Sequence, residues 1–273
     1  MLDLVYQKFD LPTSSYLGKK VFKKYFFENA YLTSSDKKYL REDVDTILWQ
    51  YTLKPKTVQI KSYVDEQYEY LEVALLEVTV RSPDNYKRLA SVFHKSIPYP
   101  CLIIFTCVPA MTTDNLEQNE DIEDGDENLE SQVALSVAHK RFSHSEKGSF
   151  VVENIFNTNW INLNSPAKIE NAFIESLKFS DLPHTHFLAF YSAIIDRFVA
   201  FDCAKFSGTY EIGNKNLSQE ERRQKLETCH NLKRKIDKLR NDLRNETQFN
   251  RKVELNTEIK QSQQQLEQES ESI

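Results

Sequence analysis

The sequence is poor in glycine, with only 5 among 273 residues, against the roughly 7% of an average protein. Loops that cradle phosphate groups need clustered glycines, and only Gly208 and Gly213 have the required spacing. Asn214 separates Gly213 from Lys215, and no hydroxyl residue follows that lysine. The sequence therefore argues against a phosphate-binding loop.

Paired cysteines and long apolar runs are also missing. The four cysteines, Cys101, Cys107, Cys203 and Cys229, contain no C-x-x-C pair and no spacing typical of a secreted disulfide framework. No apolar run approaches the roughly 18 residues of a membrane-spanning helix. The first residues, MLDLVYQKFD, lack the order of a signal peptide. These absences predict a cytoplasmic protein without membrane association.

The net charge of −6 hides two segments of opposite sign. From Arg222 to Lys252 there are 11 Lys and Arg residues against 4 Asp and Glu, whereas Asp114 to Glu130 holds 9 acids and no base. The acidic segment has no aromatic residue and no apolar periodicity, so residues 112–130 are predicted to be a flexible insert. The chain is thus expected to be strongly dipolar along its sequence.

The rest of the pattern predicts an α+β domain over residues 1–210, with a mixed, largely antiparallel sheet and flanking helices. Alternating or buried strands are expected in QYEYLEVALLEVTVRS and YPCLIIFTCV, and SQVALSVAHKRF and SFVVENIFNTNWINL are expected to form an antiparallel hairpin. In TSSDKKYLREDVDTILWQYTL, apolar residues from Leu40 to Tyr51 recur at helical spacing, which predicts one helix ending before Pro55.

Residues 215–270 are predicted to form a basic helical hairpin or coiled coil. Ser218 and Glu221 fit a capping box, and apolar residues then step by three and four, the seam of a coiled coil. The seam falters at Asn245–Asn250, where a turn would let each arm bury the other's stripe, with Phe249 as the anchor of the crossing. One continuous helix that pairs with a second chain is the alternative. The expected seam is Leu226, Cys229, Leu232, Ile236, Leu239, Leu243, Phe249, Val253, Ile259 and Leu266.

The surplus of positive charge on these helices predicts a binding surface. Exposed helices usually balance their charges through pairs four residues apart, and this one does not. Attraction to a nucleic-acid backbone or an acidic protein surface would explain the imbalance. The predicted binding residues are Arg222, Arg223, Lys225, Lys233, Arg234, Lys235, Lys238, Arg240, Arg244, Arg251 and Lys252.

No catalytic residue, metal site or cofactor is predicted. His184 and His186 are near neighbours, but at the start of a helix residues two apart point in different directions. A metal-dependent nuclease would need carboxylates such as Asp65, Glu72 and Glu77 to converge on one ion. The expected lysine two residues after Glu77 is absent. A degenerate or unusual nuclease therefore stays an alternative only.

The stretch YLGKKVFKKYFFENAYL interleaves lysines with aromatic residues. Single-stranded nucleic acid can be bound by such a combination, through phosphate contacts and stacked bases. The same pattern also suits an amphipathic segment whose rings pack in the core, and this interpretation is favoured because aromatic residues are so often buried.

Five stretches, DLPTSSYLGKKVFKK, LWQYTLKPKTVQI, SIPYPCLIIF, FNTNW and ETQFNRKVELNTEI, together resemble a family of bacterial domains of unknown function. Members of that family are encoded beside helicase and DNA methyltransferase genes of type III-like restriction and other phage-defence islands. The resemblance implies an accessory role near DNA-modifying machinery, and it supplies no catalytic residue. Its more distinctive positions, expected to be structural, are Pro98, Tyr99, Pro100, Trp160, Gln248, Phe249 and Asn250.

Together these features predict a non-enzymatic accessory or adaptor protein in a DNA-processing or phage-defence context. The expected partner is a helicase-type or methyltransferase-type protein, with nucleic acid as a further candidate. A self-associating structural protein that oligomerises through the C-terminal helices is a third hypothesis, beside the adaptor and the nuclease.

The two charged segments lead to a first prediction. Nine carboxylates can mimic a run of phosphates, so the acidic segment is expected to compete with polyanions for the basic helices. Deletion of residues 114–130 should tighten the binding of duplex DNA in a fluorescence anisotropy titration. An affinity equal to that of the intact chain would reject this intramolecular competition.

Overall fold

The computed structural model describes residues 3–107, 132–143, 150–213 and 217–273. The predicted acidic insert, 112–130, lies outside these residues. The chain forms two compact units, residues 1–195 and 196–273. The division falls within one helix, Phe187–Ser207, whereas the sequence predicted a boundary between residues 210 and 215.

The first unit is a mixed sheet flanked by helices, which confirms the predicted α+β class. Its elements in chain order are α1 (Asp3–Phe9), β1 (Tyr16–Lys20), α2 (Lys23–Asn29), α3 (Ser34–Glu42), β2 (Val44–Leu53), α4 (Pro55–Val58), β3 (Tyr63–Val64), β4 (Glu69–Tyr70), β5 (Val73–Val80), α5 (Tyr86–Ser96), β6 (Cys101–Cys107), β7 (Gln132–Phe142), β8 (Phe150–Asn157), β9 (Ile161–Asn162), α6 (Lys168–Ser176) and the first part of α7 (Phe187–Ser207).

The main sheet has the strand order β1-β2-β5-β6-β7-β8, and β9 also pairs with β7. Among the described strands of this sheet, β5 and β6 pair in parallel, through the crossover helix α5, and the other strand pairings are antiparallel. The predicted hairpin of β7 and β8 is therefore confirmed. A separate two-stranded sheet joins β3 to β4.

Strand β5 is buried on both faces, which explains its nearly continuous apolar sequence, VALLEVTV. Leu76 and Val78 point into the core beneath α2, α3 and α5, where Phe26 and Phe93 also lie. Val73 and Leu75 line a small apolar cavity on the opposite face, together with residues of α1 and α7 such as Phe9 and Phe190. Helices thus cover both sides of the sheet.

The helix predicted to end before Pro55 is only half correct. Helix α3 begins after the Thr33 N-cap and ends at Glu42, and residues 44–53 form the central strand β2. Two β-bulges, between Val44 and Thr46 and between Trp49 and Tyr51, each add a residue to the strand. The inward-facing residues Val44 and Ile47 are consequently three apart, and this spacing imitates the period of a helix.

A buried polar cluster links α5 to β6 and β7. His94 on α5 is fully buried, its Nε2 lies 3.0 Å from the Ser136 hydroxyl, and its Nδ1 lies 3.4 Å from the Cys101 sulfur. The Tyr191 hydroxyl donates to the Cys101 carbonyl oxygen at 2.8 Å. Burial, followed by the nearby Lys140 ammonium, holds the pKa of His94 well below its usual value.

Lys140 gives a structural role to the Pro98-Tyr99-Pro100 turn between α5 and β6. This lysine is buried, and its Nζ donates to the Tyr99 carbonyl oxygen at 2.7 Å and to the carbonyl oxygen of Ile97. The ammonium therefore satisfies carbonyl groups that follow the end of α5, where positive charge is favourable. Burial lowers the pKa of Lys140.

The other family position in this unit, Trp160, lies between β8 and β9. Its indole nitrogen donates to the Pro83 carbonyl oxygen at 3.1 Å, and its ring packs 5.1 Å from that of Tyr86. Trp160 therefore ties the β8–β9 connection to the start of α5.

The second unit contains the end of α7 and two long helices, α8 (Gln219–Asn245) and α9 (Phe249–Glu271). The predicted capping box is present, since the Ser218 hydroxyl accepts from the Glu221 amide and the Glu221 carboxylate accepts from the Ser218 amide. Helices α8 and α9 pack against each other, which confirms the predicted hairpin. Within the described part of the chain, no helix is long and apolar enough to cross a membrane.

Burial of His94 predicts a pH-dependent stability. The unfolded chain binds a proton at this histidine near pH 6.5, and the folded chain does so only at a lower pH. The free energy of unfolding should therefore fall as the pH drops below about 6.5, by at most about 1.4 kcal/mol per pH unit from this group. Urea unfolding between pH 7.5 and 5.5 should show a shallower loss in His94→Gln.

The exposed His184 provides the matched control. His184→Gln should retain the pH dependence of the unmodified protein. If His94→Gln also retained it, the proton uptake would belong to another group.

Candidate interaction surface on the C-terminal hairpin

The end of α7 holds the first half of α8 in place. Asp202 on α7 accepts from the His230 Nε2 at 2.7 Å, and Asp196 lies 3.7 Å from the Arg223 guanidinium. The Phe206 ring meets the His230 ring edge-on at 5.1 Å. Although burial raises the pKa of Asp202, Lys205 and His230 outweigh that effect and lower it. These contacts define the base of the hairpin, taken here as residues 219–232 of α8.

A narrow apolar seam joins the two arms. Ile236 and Leu239 on α8 pack against Leu255 and Ile259 on α9. At the other end Lys225 bonds to Glu269, so residues of low number on α8 meet residues of high number on α9. The hairpin is therefore antiparallel.

Phe249 does not anchor this crossing, so that part of the prediction was wrong. Its side chain is 78% exposed, and Val253 is exposed too. Leu255 occupies the seam instead. The face of α9 that packs against α8 therefore contains Leu255 and Ile259, and it does not contain the predicted residues Phe249 and Val253. The turn is held by Glu246, whose carboxylate accepts from the amides of Gln248 at 2.8 Å and Thr247 at 2.7 Å. These bonds lower the pKa of Glu246.

The remaining family positions, Gln248 and Asn250, lie at this turn. Gln248 is the N-cap residue of α9, and both side chains are exposed. The Gln248-Phe249-Asn250 run therefore marks the turn between the two helices, and the Phe249 ring faces solvent.

Three of the predicted binding residues are engaged within the base. Arg222 is buried and donates to the Glu211 carbonyl oxygen at 2.8 Å. Arg223 faces Asp196, and Lys225 donates to Glu269 at 2.9 Å and to the Ser272 hydroxyl at 2.8 Å. These three side chains hold the base together and are poorly placed to meet a partner.

The other eight predicted residues lie farther along the hairpin, and seven of them are exposed, with Lys252 half-buried. We call this set the distal cationic surface; it consists of Lys233, Arg234, Lys235, Lys238, Arg240, Arg244, Arg251 and Lys252. Two of its members form ion pairs along their own helix, Arg240 with Asp237 at 4.0 Å and Arg251 with Glu254 at 2.6 Å.

Four members of the distal cationic surface, Lys235, Lys238, Arg244 and Lys252, have no carboxylate within 4.0 Å among the residues that the structure describes. Lys233 instead covers the Phe206 ring at 5.9 Å, and Arg234 donates to the Asn231 side chain. Among the described residues, most of this charge is therefore not compensated by an ion pair.

The local sequence of α8 places like charges next to one another on its surface in this region. Residues 233–244 contain six Lys and Arg against two Asp. Arg234 and Lys238, and likewise Arg240 and Arg244, are like charges four residues apart, each pair destabilising by about 0.2–0.5 kcal/mol. Packing alone gives no reason for these pairs, because all four side chains are exposed.

The prediction omitted the exposed asparagines Asn231, Asn241 and Asn245. With Arg234 and Lys238 they recur at steps of three and four, so they share the side of α8 that faces away from the seam. Asparagine can donate to phosphate oxygens as well as accept. The periodicity of the polar residues, and not only of the apolar ones, would have revealed this side.

The three carboxylates that were considered for a nuclease, those of Asp65, Glu72 and Glu77, each bond to different partners. Buried Glu77 accepts from the Tyr6 hydroxyl at 2.9 Å and from the Gln50 amide at 2.7 Å. Glu72 pairs with Lys54 at 3.2 Å, and Asp65 accepts from the amides of its own turn. In the described ranges, no group of three His, Cys, Asp or Glu side chains is placed to hold a metal ion.

The chain belongs to the family described as a domain of unknown function, DUF4391, whose family model matches residues 9–266. No curated protein and no solved structure matches this chain.

The seam and the exposed phenylalanine give a paired prediction. Ile236→Ala should lower the free energy of unfolding by about 2 kcal/mol or more, because it leaves a cavity between the arms. Phe249→Ala should change it by less than about 0.5 kcal/mol, because the ring is exposed. Urea unfolding followed by circular dichroism measures both, and equal destabilisation by the two substitutions would restore Phe249 as an anchor.

Proposed function

We propose that this DUF4391 protein is a non-enzymatic accessory subunit that contacts a polyanionic partner through the distal cationic surface. The partner is a nucleic-acid backbone or an acidic surface on a helicase-type or methyltransferase-type protein. The single observation that carries the proposal is a run of exposed cations, most of them without a carboxylate within ion-pair distance in the described residues.

The repulsion within α8 supports this proposal. Like charges at exposed positions lower the stability of an isolated helix, so their presence is best explained by a partner that neutralises them. The asparagines on the same side of α8 suit phosphate oxygens, to which Lys, Arg and Asn commonly donate. A backbone contact of this kind would be independent of base sequence.

The biological context is proposed from the sequence resemblance. The resembled family is encoded beside helicase and DNA methyltransferase genes of phage-defence islands, and this context favours an accessory role near DNA-modifying machinery. An adaptor needs a rigid attachment and an exposed binding surface, and the base and the distal half of the hairpin would fill these two roles. Action in the cytoplasm, where such enzymes work, is part of the same proposal.

Salt dependence provides the test. Binding to a 25-base-pair duplex should weaken steeply as salt rises, with each engaged cation contributing about 0.9 to the slope of log affinity against log salt. The variant Arg234→Gln/Lys238→Gln/Arg244→Gln should lose affinity at low salt and show a smaller slope. These side chains are exposed, so circular dichroism should show an intact helical hairpin.

The matched control replaces three exposed lysines of the first unit, Lys56, Lys61 and Lys168, by glutamine. It changes the net charge equally and should leave duplex binding within about twofold, because the cations that it removes lie outside the hairpin. Absence of binding even at low salt would remove the nucleic-acid version and leave an acidic protein partner. Sedimentation that shows self-association through α8 and α9 would favour the structural-protein hypothesis instead.

A further inference from the structure

The segment 16–31 exposes an unusual number of aromatic rings. Of the six exposed Phe, Tyr and Trp side chains in the described part of the chain, four lie here. They are Tyr16, 60% exposed, Phe22, 71% exposed, Tyr25, 43% exposed, and Tyr31, which is fully exposed. The sequence had favoured burial of these rings. The structure buries Phe26 and packs the half-buried Phe27 against the core, so that interpretation is right for these two rings and wrong for Phe22 and Tyr25, which are exposed.

The local fold explains the exposure. Strand β1 is the first strand in the sheet order, and all five of its residues are exposed. Phe22 is the N-cap residue of α2, and Tyr25 lies one turn later, where its amide donates to the Phe22 carbonyl oxygen at 3.0 Å. Phe26 points into the core, whereas Phe22 precedes the first helical residue with an extended backbone, and both Phe22 and Tyr25 are exposed.

Tyr16 is positioned by a glycine. Gly18 has a positive φ of 60°, and a Cβ atom at this position would lie 2.6 Å from the Tyr16 hydroxyl oxygen. The Tyr16 ring therefore lies over the backbone of Gly18, and its edge contacts the Tyr51 ring at 5.4 Å. This arrangement keeps an aromatic face on the edge of the sheet.

Lysines alternate with these rings. Lys19, Lys20 and Lys24 are exposed, and Lys24 has one weak partner, Glu28, at 3.3 Å along its own helix. Lys23 differs, because its ammonium donates to the carbonyl oxygens of Val44 and Arg41. Burial, followed by Arg81, lowers the pKa of Lys23. Three of the four lysines are thus available to solvent.

A second pair of rings continues the surface. Trp49 is the partner of Lys19 across the β1–β2 pairing, and the Tyr99 ring contacts the Trp49 ring edge-on at 6.2 Å. Tyr99 is exposed, and Lys140 fixes its backbone from inside the protein. The distinctive Pro98-Tyr99-Pro100 turn thereby holds one more ring beside a lysine of β1.

We infer that this aromatic–lysine patch binds single-stranded nucleic acid. Its central residues are Lys19, Lys20, Phe22, Lys24 and Tyr25. Bases stack on the exposed rings, and phosphates contact the neighbouring lysines, which is the combination used by proteins that bind single strands. A duplex satisfies only the lysines, because its bases are already stacked, so the patch distinguishes single strands from duplexes. The inference concerns the first unit and is independent of the hairpin.

Anisotropy of a fluorescent 20-nucleotide thymidine strand, dT20, tests the inference. Phe22→Ala/Tyr25→Ala should weaken binding at least about fivefold at every salt concentration, because stacking is lost while charge is unchanged. Lys19→Gln/Lys20→Gln/Lys24→Gln should weaken binding chiefly at low salt and reduce the salt slope by up to about 2, since each single-strand phosphate contact contributes about 0.7.

Two matched controls separate this inference from the proposed function. Lys56→Gln/Lys61→Gln/Lys168→Gln removes the same charge elsewhere and should bind dT20 normally. The hairpin variant Arg234→Gln/Lys238→Gln/Arg244→Gln should lose duplex binding and keep at least half of its affinity for dT20. If the hairpin variant lost both duplex and dT20 binding while the patch variants kept both, all nucleic-acid binding would belong to the hairpin.

The inference is overturned if the ring variant binds dT20 as tightly as the unmodified protein. It is also overturned if a polyglutamate competitor displaces dT20 as well as unlabelled dT20 does, since the patch would then serve an acidic protein. Circular dichroism and urea unfolding should show that both variants remain folded at the temperature of the titration, because each replaced side chain lies at the surface.

Discussion

The apolar seam between α8 and α9 is the constraint on which the hairpin surface depends. Each arm contributes a stripe only one or two residues wide, centred on Ile236 and Leu239 in α8 and on Leu255 and Ile259 in α9. Such a stripe fixes a minority of positions and leaves the rest of each helix free to vary. At the base of α8, residues outside the apolar stripe contact Asp196, Asp202 and Glu211. Beyond the base, the residues of α8 outside the stripe carry positive charge that the fold does not require.

The hairpin could be predicted from sequence because its determinants are local. A capping box, a steady step of three and four, and a polar break at residues 245–250 all lie within one stretch. The register of α9 could not be predicted in the same way. The start of α9 offers three apolar residues that could enter the seam, Phe249, Val253 and Leu255. Packing against α8 selects Leu255.

The central sheet illustrates the opposite case. Strand β2 was assigned to a helix in part because a bulge places its inward residues Val44 and Ile47 three apart instead of two. Bulges depend on the partner strand, here β5, which lies 20 or more residues farther along the chain. Likewise, Lys140 in the sequence HKRF has the pattern of a surface cation, and its burial follows from the distant turn at Tyr99. Tertiary contacts of this kind are invisible to a local pattern.

The absence of a side chain at Gly18 has a consequence for how this sequence can diverge. Any larger residue would need both an unfavourable backbone conformation and the volume that the Tyr16 ring already fills. The two positions are therefore tied to each other: a chain that gives up the ring removes the steric clash and leaves only the cost of the backbone conformation, whereas a chain that keeps the ring must keep the glycine. In relatives of this protein, loss of the aromatic residue should accordingly precede or accompany replacement of the glycine.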